Sequence, residues 1–357
     1  MGMVSEVNLF CFSLLIGLSF LLSCSGVDAS KESLDLPAHH TPDGFRNPYN
    51  RADRGFGEFL LWQLGRGPDE PQPIPPERIP EYQPKIVQPD IEVLKKPDFA
   101  KIQITWIGHA SFLVQVAGVN VLTDPIFSER CSPFSFVGPK RFAPPGIKFE
   151  DLPKIHTVVI SHNHYDHLDE ATIERLGNES RFFVPLGLAE WFRDRGITNV
   201  VELDWWQSAS FSDLNFHCVP AQHFSGRTPF DRNATLWAGW VIESKIGNIF
   251  FAGDTGYSPH FQEIGARFQP IKVTMIPIGA YSPRWFMGPV HVNPPEAVRV
   301  HQDVRSQLSI GMHWGTFKLS DEPPAEAPIY LQEALEKAGV DSESFIVMKF
   351  GETRILD

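Results

Sequence analysis

The segment Ser161-His162-Asn163-His164-Tyr165-Asp166-His167 follows directly on the apolar stretch 157–160. It crowds three imidazoles and one carboxylate into residues 162–167. Gathering such groups at the end of a buried strand carries desolvation and repulsion costs that a counter-ion must offset. Imidazole and carboxylate are the ligand types suited to zinc and its neighbours. Residues 162 and 164, two apart in a turn off a strand, can aim at one ion. Residues 166 and 167 can then face a second ion on the other side. The chain must therefore fold so that an apolar strand delivers this turn to a cleft where further ligands meet it.

The surrounding pattern supplies such strands. From residue 101 onward, stretches at 102–107, 112–116, 119–122, 157–160, 181–184, 237–242, 248–251, 273–278 and 308–311 read as strands. Gly118 and Asn120 mark the turn between the second and third of them. Helices are expected after His167, around 186–195, from 294 to 304 and from 328 to 337. Strands and helices interleaved this way imply a layered α/β domain, sheet inside and helices outside. Upstream, an apolar cluster with partly helical spacing contains Phe56, Phe59, Leu60, Leu61, Trp62 and Leu64. A proline-rich connector over 68–84 then reads as extended surface chain.

Charge narrows the function. A net charge of −12 leaves no basic surplus to neutralise phosphates, so no nucleic-acid partner is expected. A small anionic substrate stays open, because metal ions dominate the field inside a site. The run from Leu9 to Leu22 is too short to span a bilayer comfortably and fits the core of a signal peptide. Its ending, Leu21-Leu22-Ser23-Cys24, resembles a bacterial lipobox. The expected organisation is a leader over 1–24, an N-terminal arm over 25–97 and a hydrolase domain over 98–357. The protein would be exported, as a periplasmic or membrane-anchored lipoprotein. Of the 4 cysteines, Cys131 and Cys218 lie in the domain, outside any CxxC pattern, and read as buried thiols.

Three distant residues share the context of the histidine segment. His223 follows 219–222, Asp254 sits in Gly253-Asp254-Thr255-Gly256, and His313 in Gly311-Met312-His313-Trp314-Gly315. Each stands where a strand runs out. Taken singly, each reads equally well as an ordinary loop residue.

Together, HxHxDH, a later His, GDTG and a final His resemble the metallo-β-lactamase superfamily. That resemblance implies a four-layer αββα sandwich with the site along one edge of the packed sheets. It implies that His162, His164 and His223 hold one metal, and Asp166, His167 and His313 a second. Asp254 would bridge both, and the side chains should converge around two points roughly 3.5–4 Å apart. Longer segments are more specific. Thr105-Trp106-Ile107-Gly108-His109-Ala110, Leu122-Thr123-Asp124-Pro125-Ile126-Phe127-Ser128, Pro283-Arg284-Trp285-Phe286-Met287 and His313-Trp314-Gly315-Thr316-Phe317 are similar to the N-acylphosphatidylethanolamine-hydrolysing phospholipase D branch. The likeness runs from about residue 45 to the end.

Membership of that branch would imply a phosphodiesterase with two ions, zinc by preference, although iron and manganese accept similar ligands. A hydroxide shared by the ions would attack an N-acylphosphatidylethanolamine-like phospholipid at a membrane surface, releasing N-acylethanolamine and phosphatidic acid. Asp254, Asp166 and His291 would carry the catalysis, and His291 and Tyr165 would contact the substrate. His109 and Asp124 are expected to support ligands through hydrogen bonds rather than to be ligands. Two alternatives share the sequence: a lactonase or amidase related to L-ascorbate 6-phosphate lactonase, and a non-catalytic lipid-binding lipoprotein.

Overall fold

Side chains of a strand alternate between its two faces, and here the alternation sorts the core into two compartments. In the strands nearest the histidine segment, Phe112, Val114, Val121, Val159 and Phe183 belong to one cluster. Their neighbours Leu113, Leu122, Val158, Phe182 and Val184 belong to another. Both faces of these strands are therefore buried, which only a sheet covered on both sides allows. The computed structural model describes residues 36–49 and 54–357. The expected leader, with Cys11 and Cys24, lies outside the described residues.

The first sheet has seven strands in the order β16 (Thr353–Leu356), β3 (Ile102–Gly108), β4 (Ser111–Val116), β5 (Val119–Thr123), β6 (Thr157–Val159), β7 (Arg181–Pro185), β8 (Val200–Leu203). The second runs β15 (Phe345–Val347), β14 (Ser306–Met312), β13 (Ile271–Pro277), β12 (Asn248–Phe251), β11 (Gly239–Glu243), β10 (Leu214–Val219), β9 (Ser208–Phe211). Between them lies the larger cluster, where Phe183 of β7 stacks on Phe216 of β10 with ring centroids 4.2 Å apart. Helices α2 (Ile91–Lys95), α3 (Glu170–Leu176) and α4 (Ala189–Arg193) cover the outer face of the first sheet. Helices α5 (His260–Arg267), α7 (Pro294–Asp303) and α8 (Glu326–Ala338) cover the second. The result is the expected αββα sandwich.

Each of the nine expected strands is present, with instructive shifts, while β8, β9, β10, β15 and β16 were not anticipated from the sequence. The turn after β4 is Ala117-Gly118, both with positive φ (49° and 78°), as a tight hairpin requires. Asn120 is not in that turn: it lies within β5, paired with Gln115, and its side chain donates to the Lys154 carbonyl at 2.8 Å. The strand expected over 237–242 begins only at Gly239, because the Ala238 amide donates to the carbonyl of Ser161 at 2.9 Å instead of to a ladder.

Residues from Pro37 to Asp357 form one compact unit. The segment before β3 is woven into it. A hairpin of β1 (His40–Thr41) and β2 (Gly44–Phe45) is fastened by His39 Nε2 and His40 Nε2, 2.7 and 2.9 Å from the Asp204 carboxylate. Farther on, Asn47 Nδ2 donates to the His223 carbonyl at 2.7 Å and the Tyr82 hydroxyl to the Gly315 carbonyl at 2.6 Å. The apolar cluster forms α1 (Phe56–Gln63), held against α6 (Arg284–Met287) by Trp62, which stacks on Phe286 at 5.0 Å and donates to Asp321 at 2.8 Å. Among the described residues no helix is long and apolar enough to cross a membrane. Cys131 and Cys218 are free and buried, as expected.

Candidate metal centre

Six strands end at one edge of the sandwich, and each releases a polar residue there. β3 leads to His109, β5 to Asp124, β6 to 161–167, β10 to His223, β12 to Asp254 and β14 to His313. Turning away from a strand within one residue demands unusual backbone. His109, Asp124 and His313 adopt positive φ (56°, 33° and 60°), a region that costs non-glycine residues of order 1–3 kcal/mol each and is tolerated where the surroundings fix it. Gly253, at φ 61°, has a second reason to be glycine: a Cβ there would stand 2.7 Å from the Ser161 Cβ.

The hydrogen-bond network behind the histidines fixes which ring nitrogen faces the centre. Asp124, fully buried, accepts from the Ser161 amide at 2.7 Å, the Ser161 hydroxyl at 2.5 Å and His167 Nδ1 at 2.6 Å. Since the Ser161 hydroxyl donates to Asp124, its oxygen accepts from His162 Nδ1 at 2.8 Å. His223 Nδ1 donates to the Val290 carbonyl at 2.9 Å. All three rings thus turn Nδ1 outward to an acceptor and aim Nε2 inward, the orientation of a metal ligand.

Inside the cleft, nitrogen meets nitrogen. His162 Nε2 lies 2.8 Å and His223 Nε2 3.3 Å from His164 Nδ1. One proton can satisfy only one such pair, so three converging ring nitrogens want a shared cation. A second group gathers beside it: Asp166 Oδ2 lies 3.3 Å from His167 Nε2 and 3.2 Å from His313 Nε2. Asp254 Oδ2 stands between the groups, 3.1 Å from His167 Nε2, 3.1 Å from His313 Nε2 and 3.8 Å from His223 Nε2. His167 Nε2 and Asp254 Oδ1 are buried without a hydrogen-bond partner. Buried polar atoms are rarely left so, and this donor set fits divalent cations.

Electrostatics agree. Burial, with help from neighbouring histidines, pulls His162 well below the usual imidazole range and His164 down to about 3. Burial also lowers His223 to about 4, so all three stay neutral, the form that binds metal. For His313 burial acts downward too, but Asp254 and Asp166 outweigh it and raise the ring to about 9. In the metal-free protein a proton thus stands where a cation is called for.

Each residue expected at the site can now be located. His162, His164 and His223 form one possible ligand group, and Asp166, His167 and His313 form another that also contains His109. His109 Nε2 lies 2.8 Å from Asp166 Oδ2. Asp124 sits behind His167 and Ser161. His291 is buried with its Nδ1 unpartnered, its ring 5.0 Å from that of His223, and it lines the cleft. Tyr165 stands apart from the lining: its hydroxyl donates to the Arg227 carbonyl at 2.9 Å. The cleft opens into a cavity of about 480 Å³ with His164, Asp166, Asp254 and His313 in its wall. Phe59 and Trp62 of α1, Phe224, Phe286 and Arg54 are also part of its lining. The sequence did not single out Arg54, Phe224 or Phe286 for the cavity, because nothing in their local pattern signals which loops will meet.

Residues 119–314 match the model of the beta-lactamase superfamily domain. The chain is 42% identical over 263 residues to N-acyl-phosphatidylethanolamine-hydrolyzing phospholipase D 1 of Caenorhabditis elegans, spanning 70% of this chain and 74% of that protein. A metal-dependent hydrolase of Methanopyrus kandleri is 30% identical, spanning 71% and 99%. Among solved structures, a possible metal-dependent hydrolase from Veillonella parvula is similar in fold, with a TM-score of 0.59 at 19% identity over 71% of this chain and 99% of that one.

Proposed function

Because the chain belongs to the metallo-β-lactamase superfamily of metal-dependent hydrolases, we propose that it is a phosphodiesterase of phospholipase D type acting on N-acylphosphatidylethanolamine-like lipids. One observation carries this reading. The polar cluster sits in the wall of a cavity whose lining also includes Phe59, Trp62, Phe224, Phe286 and Met287, so reacting polar atoms and apolar chains can be bound side by side. The similarity to a relative named for this hydrolysis points the same way.

In this reading His162, His164 and His223 hold one ion, Asp166, His167 and His313 a second, and Asp254 both; zinc is the metal of choice. Bound divalent ions supply the Lewis acidity that brings water's ionisation into the neutral range and neutralises charge on a phosphodiester. The chain's own residues do the rest. Asp124 and the Val290 carbonyl keep His167 and His223 in their ligand tautomers. Phe59 and Phe286 give the cavity an apolar wall on which an acyl chain could lie. Arg54 brings a guanidinium to the same wall, suited to the charge of a phosphodiester. His291, its Nδ1 free, is set to orient the phosphate or the leaving oxygen. His291→Ala should leave metal content unchanged and slow phosphodiester turnover; loss of one metal would instead make His291 a ligand.

The test is a lipid screen on purified protein of known metal content. N-acylphosphatidylethanolamine vesicles should yield N-acylethanolamine and phosphatidic acid. Turnover of a lactone panel with none of the phospholipid would overturn the reading in favour of attack on a carbonyl.

A double-chain lipid leaves a bilayer at a cost of about 0.8 kcal/mol per methylene, so this cavity would work at a membrane surface. Leu60 and Leu61 on α1 and Leu64 just after it are 46%, 45% and 57% exposed, and Phe230, beside cavity-lining Pro229, is 96% exposed. Phe59 and Trp62 face the cavity, so the outward leucines are the residues to change. Leu60→Asp with Leu61→Asp should weaken vesicle binding and lipid hydrolysis about tenfold or more, each buried leucine contributing ~1.5–3 kcal/mol. Cleavage of a short soluble phosphodiester should survive. A parallel fall of both activities would remove the membrane role. Export and lipidation at Cys24 belong to the same proposal.

A further inference from the structure

The guanidinium of Arg227 is placed unlike that of an ordinary surface arginine. Its Nη1 donates to the Asn163 carbonyl at 2.9 Å and to the Leu168 carbonyl at 2.8 Å. Neither acceptor is a carboxylate. Asp231, the acid nearest in sequence, is occupied with the Arg227 backbone amide at 3.0 and 3.1 Å. The guanidinium carbon lies 4.0 Å from the Tyr165 ring centroid and 5.3 Å from that of Trp191. A cation has been placed among rings and carbonyls, where an arginine's planar fork can stack and donate together.

The position of those two carbonyls gives the arrangement its meaning. Asn163 and Leu168 bracket His164, Asp166 and His167, and within the bracket the His167 and Leu168 amides both donate to the His164 carbonyl. One nitrogen of Arg227 therefore ties the two ends of this turn and sets the spacing between the two ligand groups. Arg227 also follows His223 by four residues. Around it the Gly226 amide donates to Asn163 Oδ1 at 2.7 Å and the Tyr165 hydroxyl to the Arg227 carbonyl at 2.9 Å. These contacts lock the loop that carries His223 onto the loop that carries His164.

From this we infer that Arg227 is a positioning residue for the metal centre: it holds ligands from two separate chain segments in register while touching neither metal nor substrate. The inference rests on reading His162, His164, His223, Asp166 and His167 as ligands. Arginine is favoured over lysine because its planar guanidinium stacks on Tyr165 while Nη1 donates to both carbonyls, whereas an ammonium can donate but not stack.

The experiment measures metal affinity by chelator competition, with zinc and with cobalt(II), on the full chain. Arg227→Ala should weaken affinity by about 10–100-fold, the usual effect of removing a group that orients ligands, and should change the cobalt(II) visible spectrum. Added guanidinium ion should restore both, and Arg227→Lys should fall between. Unchanged affinity and spectrum in Arg227→Ala overturns the inference. So does a loss that guanidinium cannot rescue and that matches a fall in the melting temperature of the metal-free protein, since that is packing alone. If the alanine variant does not fold, wild-type affinity and spectrum in Arg227→Lys is equally fatal. His164→Ala, run in parallel, separates the premises: if it too changes nothing, the ligand assignment has failed and the role of Arg227 with it.

Discussion

Asp254→Asn should keep the fold and lose turnover by more than about 100-fold, beyond the 10–100-fold typical of a partner placed behind a ligand. The reason lies in where its oxygens stand. Oδ2 is within 3.1 Å of ring nitrogens on His167 and His313 and 3.8 Å from His223, so it touches both ligand groups. Oδ1 is buried with no hydrogen-bond partner. An amide keeps the size and removes the negative charge. It also aims an N–H at imidazoles that need a cation or an anion between them, so at least one ion should bind weakly. Elemental analysis of the purified variant should find less than two metals per chain, alongside turnover of a soluble phosphodiester. Near-normal activity with both metals retained would show that Asp254 is not shared by two ions.

A second large effect is expected behind the site. Asp124→Ala should destabilise the protein by about 3–5 kcal/mol, the usual result of removing one partner from a buried charged pair. Asp124 is fully buried and holds the Ser161 amide, the Ser161 hydroxyl and His167 Nδ1. Alanine leaves all three groups without an acceptor in a space closed to water, each at a desolvation cost. It also frees the His167 and His162 rings to adopt the wrong tautomer, so metal affinity should fall with stability. Denaturant unfolding of the metal-free variant isolates the structural part, and chelator competition the other. A stability change below about 0.5 kcal/mol, the range of ordinary surface substitutions, would mean that Asp124 is not the hub the hydrogen bonds describe.

Much of this site was legible in the chain because metal chemistry is local in its requirements. Three imidazoles and a carboxylate in residues 162–167 have few uses other than binding cations, wherever the segment folds. The glycine at 253 and the positions of Asp254 and His313 after apolar runs carried a weaker signal that became decisive only in combination. β4 and β5 were legible as short apolar runs, because both faces of those strands are buried, but which side chain meets which layer was not. Asn120 was misread as a turn residue. Its preference for turns is a local tendency, overridden by pairing with Gln115 and by the bond to Lys154 that only the assembled sheet offers.

What tertiary structure alone decided is which distant residues meet. Nothing near Arg227 says that its guanidinium will staple the turn around His164, or that Tyr165 will face it rather than the cavity. The 56–64 cluster could be assigned to a helix, but not divided between Phe59 and Trp62 facing the cavity and Leu60, Leu61 and Leu64 facing outward. That division depends on α6, more than two hundred residues later in the chain. Sequence fixes the kinds of groups available and the periodicity that buries them, since both follow from single residues and their neighbours. The register of the two sheets fixes the distances among those groups, and a metal centre is defined by distances.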